Sequence, residues 1–164
     1  MPATYEPIAT TTLGSAAADI TFSSIPATYT DLRLVIVATC TISDNMRMQL
    51  NGDTASNYSR TALEGDGSTA ASNRTTNISI LGLSTVALST TIPTLVTADF
   101  FSYAGSTNKT VLVTNSQDYN GSGEVGRIVG LWRSTSAITS IKFYMGSGNL
   151  ATGTTATLYG IKKA

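Results

Sequence analysis

The rhythm of its turns constrains this chain more than any single motif. From Asp31 onward, short runs of alternating apolar and polar residues end in Gly, Asn, Asp or Ser clusters. The clusters recur about every 8–12 residues, the spacing of an all-β sandwich or barrel. No window carries a convincing helical period with caps, and the best helical candidate, Ala16–Ile20, is too short to be stable.

The clearest strand is Asp31–Cys40, DLRLVIVATC. Leu32, Leu34, Ile36, Ala38 and Cys40 share one face, and Arg33, Val35, Val37 and Thr39 the other. Both faces are apolar in the middle, which predicts a central strand. Met46–Leu50 predicts a second strand, closed by the strong turn signal Asn51-Gly52-Asp53. Further strands are expected at Asn57–Leu63, Thr76–Leu83, Thr94–Tyr103, Lys109–Gln117, Glu124–Arg133, Thr139–Met145 and Ala156–Lys162. The small polar stretch Ser68–Thr76 reads as a loop. Ala104–Asn108 reads as the connection of a hairpin, and Asn120-Gly121-Ser122-Gly123 as the next turn.

The expected fold is therefore one domain spanning residues 1–164, an all-β antiparallel sandwich, jelly-roll-like, with eight or nine short strands. Residues 1–9 hold Pro2 and Pro7, which make a poor interior strand. They are expected to form an extended arm with Tyr5 and Ile8 as apolar anchors on a neighbouring subunit, while the C-terminal strand is integral to the sandwich.

Composition removes most chemistry. The chain has no histidine, one cysteine, 12% charged residues and zero formal net charge. Without histidine, the commonest general base and transition-metal ligand is missing, and a Ser-His-Asp triad is excluded. No cationic cluster exists to replace counterions on nucleic acid, and no basic patch to hold a membrane surface. No apolar run approaches the roughly 20 residues of a membrane span, and no secretory signal is visible. With Cys40 alone, folding in a reducing cytoplasm is the simplest expectation. Asn57, Asn77 and Asn108 begin Asn-x-Ser/Thr triplets, which chance explains in so Asn-, Ser- and Thr-rich a chain.

The residues that could carry chemistry have structural explanations. Cys40 lies on the apolar face of its strand, as a small buried hydrophobe does. Glu64 and Asp66, with Asp53 near in sequence, could pair as glycosidase carboxylates or supply calcium oxygens. Their glycine neighbours favour a solvated turn. Gly126 and Gly130 fall inside a strand with no following helix, so they are not a phosphate loop. Among Trp132, Tyr58, Tyr103, Tyr119 and Tyr144, a sugar-stacking surface is conceivable. Trp132 shares a face with Ile128 and belongs to the core or an interface. Tyr58 and Tyr119 adjoin turns and are expected to be exposed. No catalytic, cofactor-binding or metal-binding residue is assigned.

Six segments together resemble a known family. They are Tyr5–Leu13, Phe22–Leu34, Asn51-Gly52-Asp53 with Ser56–Ser59, Phe101–Thr110, Gly130–Ile141 and Ser147–Ile161. In this order they are similar to small β-rich virion proteins of tailed bacteriophages, especially phages of aquatic bacteria and cyanobacteria. The resemblance implies a structural protein of the virion, assembled in the host cytoplasm. A lone compact domain then fits a capsid decoration protein docked on the major capsid protein. The alternative is a tail-fibre or receptor-binding module that recognises host surface glycan. Apolar residues on both faces of Leu32–Cys40, with Trp132 and Phe101 to be hidden, predict a homo-oligomer. A trimer is favoured, because three-fold capsid sites offer matching symmetry.

Overall fold

The computed structural model describes residues 4–162, and no helix occurs among them. Twelve strands are present: β1 (Tyr5–Thr12), β2 (Asp19–Phe22), β3 (Asp31–Ala38), β4 (Met46–Leu50), β5 (Tyr58–Gly65), β6 (Ala70–Ile78), β7 (Leu81–Gly82), β8 (Thr94–Phe101), β9 (Lys109–Asp118), β10 (Gly123–Trp132), β11 (Ile141–Met145) and β12 (Thr155–Ile161). They form an eight-stranded sheet, ordered β1-β12-β3-β8-β9-β10-β5-β6, and a four-stranded sheet, ordered β2-β11-β4-β7. Every pairing is antiparallel. The all-β class stands as expected, but eight or nine strands was too few.

The additional strands are those with weak apolar patterns. β6 occupies most of the stretch expected to be a loop, and eight of its nine residues are exposed. Its small polar side chains conceal its ladder with β5, which runs from Gly65↔Ala70 to Tyr58↔Ile78 with a register shift between Ser59 and Tyr58. The strand expected at Thr76–Leu83 is divided, with Ile78 ending β6 and Leu81–Gly82 crossing to the other sheet as β7. β2 takes up the end of the short helical candidate. β1 replaces the expected arm from Tyr5 onward, while residues 1–3 lie outside the described residues. It pairs with β12 of its own chain, from Tyr5↔Ile161 to Thr12↔Thr155, with a register shift between Pro7 and Ala9. Proline is tolerated there because β1 is an edge strand.

The inward faces of the two sheets make one core. β3 contributes Leu32, Leu34 and Ile36, all fully buried, and β4 and β11 contribute Met46, Met48, Leu50, Ile141 and Phe143. Each such side chain stabilises the fold by about 1.5–3 kcal/mol relative to exposure. The period of two places Phe100 with Val96 and Ala98 in this core. Phe101, expected to be hidden, consequently faces outward at 47% exposure.

One turn locks the sheets together. Asn51 (φ 51°) and Gly52 (φ 67°) are both left-handed, and the Asp53 N–H donates to the Leu50 carbonyl at 2.9 Å. These are the marks of a type I′ turn. Here it joins β4 to β5, which belong to different sheets, rather than two paired strands. The Asp53 carboxylate accepts from Trp132 Nε1 at 2.7 Å and Asn57 Nδ2 at 2.9 Å. Tyr58 stacks with Trp132 at 6.4 Å, and its hydroxyl accepts from the Leu50 N–H at 3.0 Å. The hydrogen bond from Trp132 leads the causes that hold Asp53 below the usual carboxylate range. Burial pushes the Tyr58 phenol up to about 12.

Candidate functional site

Of the residues singled out for chemistry, Glu64 and Asp66 line one cavity with Tyr119 and Glu124, whereas Asp53 and Cys40 do not line it. Asp53 is occupied by Trp132 and Asn57. Asp66 accepts from the backbone N–H groups of Ser68 and Thr69, at 2.9 and 2.6 Å, and these bonds hold its carboxyl down. It is a turn residue, with glycine following at φ 90°. Cys40 is buried, its Sγ 3.3 Å from the Leu88 carbonyl, and burial pushes the thiol up. Among the described residues, no group of three His, Cys, Asp or Glu could hold a metal ion.

The aromatic residues do not form a platform either. Trp132, Tyr58 and Tyr103 are buried, Tyr144 is half-buried, and Tyr119 is exposed at 36%. Tyr58 thus corrects the expectation of exposure beside its turn. Its ring is needed beneath Trp132, and its hydroxyl satisfies the backbone of the turn. Trp132 lies in the core as its phase with Ile128 requires. Gly126 and Gly130 share that inward face. A side chain at Gly126 would collide with Thr85 Oγ1, and one at Gly130 would meet the Leu81 side chain. The glycines therefore let residues 81–85 lie directly on β10.

Two surfaces remain as candidates. The first is the outer face of the eight-stranded sheet. Leu63, Leu95, Phe101, Val125 and Val129 are all between 44% and 58% exposed there. Threonines fill the intervening positions: Thr97 lies opposite Thr114, and the Thr10 and Thr157 hydroxyls meet at 3.0 Å. Near the middle one charge pair is satisfied within the face, while Arg127 of β10 is exposed without an ion-pair partner among the described residues. Arg33 donates to both Asp99 oxygens, at 2.6 and 2.9 Å, and this bond raises the Arg33 pKa. Strand spacing and rise give a face about 34 Å across and about 25 Å along the strands. That area is comparable to the roughly 800 Å² each partner contributes to a standard protein interface.

The second surface is a groove where the large sheet overhangs the small one. Its floor is the inward face of β5, with Arg60, Ala62 and Glu64 in line. Residues 82–87 form one wall, and Asn73 and Thr75 of β6 flank the other side. Cavities of about 440 and 460 Å³ share Glu64 and Thr85 and so are continuous. Among the described residues, neither Arg60 nor Glu64 has an ion-pair partner. The only sequence signal for this groove is the polar inward phase of β5. Arg60 and Glu64 bracket Ala62 on a face that is otherwise core. Compared with protein-family models and with curated proteins, the chain matches none.

Proposed function

We propose that this chain is a non-enzymatic structural protein of a tailed-phage virion, which decorates and stabilises the capsid exterior by docking on the major capsid protein. The outer face of the eight-stranded sheet carries this reading. It is broad, apolar and threonine-rich, with the Arg33–Asp99 pair closed on itself and Arg127 as an exposed cation, and it suits a large protein partner.

Strand order supports a jelly-roll reading. In an eight-stranded jelly roll the first, eighth, third and sixth strands share one sheet, and the second, seventh, fourth and fifth the other. With β2 as the first strand, the small sheet β2-β11-β4-β7 has that order. The large sheet contains β3, then β8-β9-β10, then β5-β6. The seventh position is thus filled by a three-stranded meander, and β1 and β12 extend the edge beside β3. Three antiparallel strands keep the direction that one strand would have, so both neighbours remain antiparallel.

Copy number in purified particles, measured by quantitative mass spectrometry, tests the function. Hundreds of copies fit decoration, whereas a few dozen or fewer place the chain in the tail and overturn it. The groove beside β6 favours one second reading, a receptor-binding module for host surface glycan. Arg60, Glu64 and Asn73 there offer both donors and acceptors to sugar hydroxyls. Saccharide titrations that shift groove resonances, and lose the shift in Arg60→Ala, would support it.

A further inference from the structure

β6 is the outermost strand of the eight-stranded sheet, so one row of its backbone N–H and C=O groups has no partner strand among the described residues. Natural edges are usually blocked by proline, charged side chains, a bulge or a covering loop. The β6 sequence AASNRTTNI has no proline; its one charge is Arg74, and its one irregularity lies at its end, at Asn77 (φ 54°), leaving Ala70–Thr76 straight. Its ladder with β5 is regular over seven pairs, from Gly65↔Ala70 to Ser59↔Thr76. Both faces of the strand are exposed. Among the described residues, its only side-chain hydrogen bond is the one from Arg74 to Thr61 Oγ1, at 2.9 Å.

We infer that β6 is the site at which a second copy of this chain pairs, antiparallel and edge to edge, about a two-fold axis at Asn73. The opposite edge of a second copy does not fit, because β1 carries Pro7 and a register shift. Edge β6 must then meet edge β6, and this makes an isologous, closed contact rather than an open filament. Charge fixes the register. An axis at Arg74 would set two guanidinium groups directly opposite, which is unfavourable. An axis at Asn73 sets Arg74 opposite Ser72 of the second copy, and Thr75 opposite Ala71. The zero formal net charge of the chain removes long-range repulsion between copies.

This pairing also completes the groove. Thr75 lies opposite Arg60 on β5, and Ala71 lies opposite Glu64. Setting Thr75 against Ala71 of the second copy therefore brings Arg60 of one chain and Glu64 of the other to opposite ends of one row. The two grooves become one trough, walled on both sides by residues 82–87, with one cation and one anion in each of its two symmetric rows. The inference is independent of the virion reading, because it requires only the free chain.

Sedimentation of the purified full chain over a wide concentration range tests it. A monomer–dimer equilibrium is expected. Ser72→Arg, which faces Arg74 of the second copy at two symmetric positions, should weaken the dimer about tenfold. Ser72→Glu should tighten it several-fold. Ser72 is exposed, so neither substitution threatens the fold. Because Cys40 is buried, Asn73→Cys would supply the accessible thiol, and mild oxidation should then yield a covalent dimer. Arg74→Cys should cross-link at least tenfold more slowly, because it lies off the axis. A wild-type chain that stays monomeric, a dimer insensitive to both Ser72 variants, or equal cross-linking at Asn73 and Arg74 would each overturn the proposal.

Discussion

At one edge of the eight-stranded sheet, β1 is held and blocked by side chains. At the other, β6 is held by its backbone ladder almost alone. In β1, Pro7 removes a backbone donor, the register shifts before Ala9, and Ile8 and Ala9 pack against the core. Glu6 accepts from Lys162 Nζ at 2.6 Å and from the Tyr29 hydroxyl at 3.3 Å. The Arg33 guanidinium sits 5.8 Å over the Tyr5 ring. β6 has one side-chain hydrogen bond, and only Ile78 is less than exposed. An edge braced in this way offers no open ladder, whereas an edge without such bracing presents unpaired backbone groups on which another strand can pair.

The difference is sharpest when the support of the β1 edge is removed. β12 lies between β1 and β3 and buries Ala156 and Leu158. Deleting residues 156–164 detaches β1 and opens the core, so no cooperative unfolding transition should remain by calorimetry. Deleting residues 1–9 is milder. It removes the partly buried Ile8 and Ala9 and should lower stability by about 2–3 kcal/mol in urea titration, leaving a folded domain. If that truncation unfolds the chain, β1 is a core strand and the contrast between edges fails.

Tyr58→Phe probes the other side. The hydroxyl is the partner of the buried Leu50 N–H and also donates to the Asp53 carbonyl at 3.1 Å. Its loss should cost about 1–3 kcal/mol, the penalty for an unsatisfied buried donor. Because Tyr58 begins β5, hydrogen exchange should quicken first in β5 and β6 and leave β1 and β12 protected. Uniform acceleration would mean that the two edges are not independently supported.

How much of this was legible from sequence depended on where each strand sits. β3, β8, β9 and β10 carry an apolar period of two because the small sheet covers one of their faces, and they lie where that period places them. β6 has no covered face, so no apolar period exists to be read. Its Ser, Asn and Thr residues resemble a loop because an exposed strand and a loop meet the same solvent. β1 was obscured by Pro7, whose edge position only tertiary structure reveals. Tyr58 was misjudged for a related reason. A turn next to a strand is normally exposed, but this turn changes sheets, so the residues beside it enter the core. Asp66 read correctly as a turn residue, but Glu64 lies within β5, and Arg60, on the same groove floor as Glu64, carried no motif. What joins them is the end of the short β7, which leaves the inward face of β5 uncovered.

The smallest effect concerns acid. The Lys162 hydrogen bond holds the Glu6 carboxyl below its usual range and, reciprocally, holds Lys162 above its own. A carboxylate with a depressed folded-state pKa contributes stability above its unfolded value, about 4.3, and loses it as pH falls through the folded value. As pH falls through that lowered value, protonated Glu6 should therefore release Lys162, and amide exchange should quicken at Tyr5, Glu6 and their β12 partners Ile161 and Gly160 relative to the intrinsic rate. β6 has no carboxylate of its own, and its exchange, scaled to the intrinsic rate, should not change over that interval. Glu6→Gln should abolish the pH step in β1 and leave a constant, faster exchange. If β1 and β6 respond to acid alike, the side-chain brace at Glu6 is not what distinguishes the two edges.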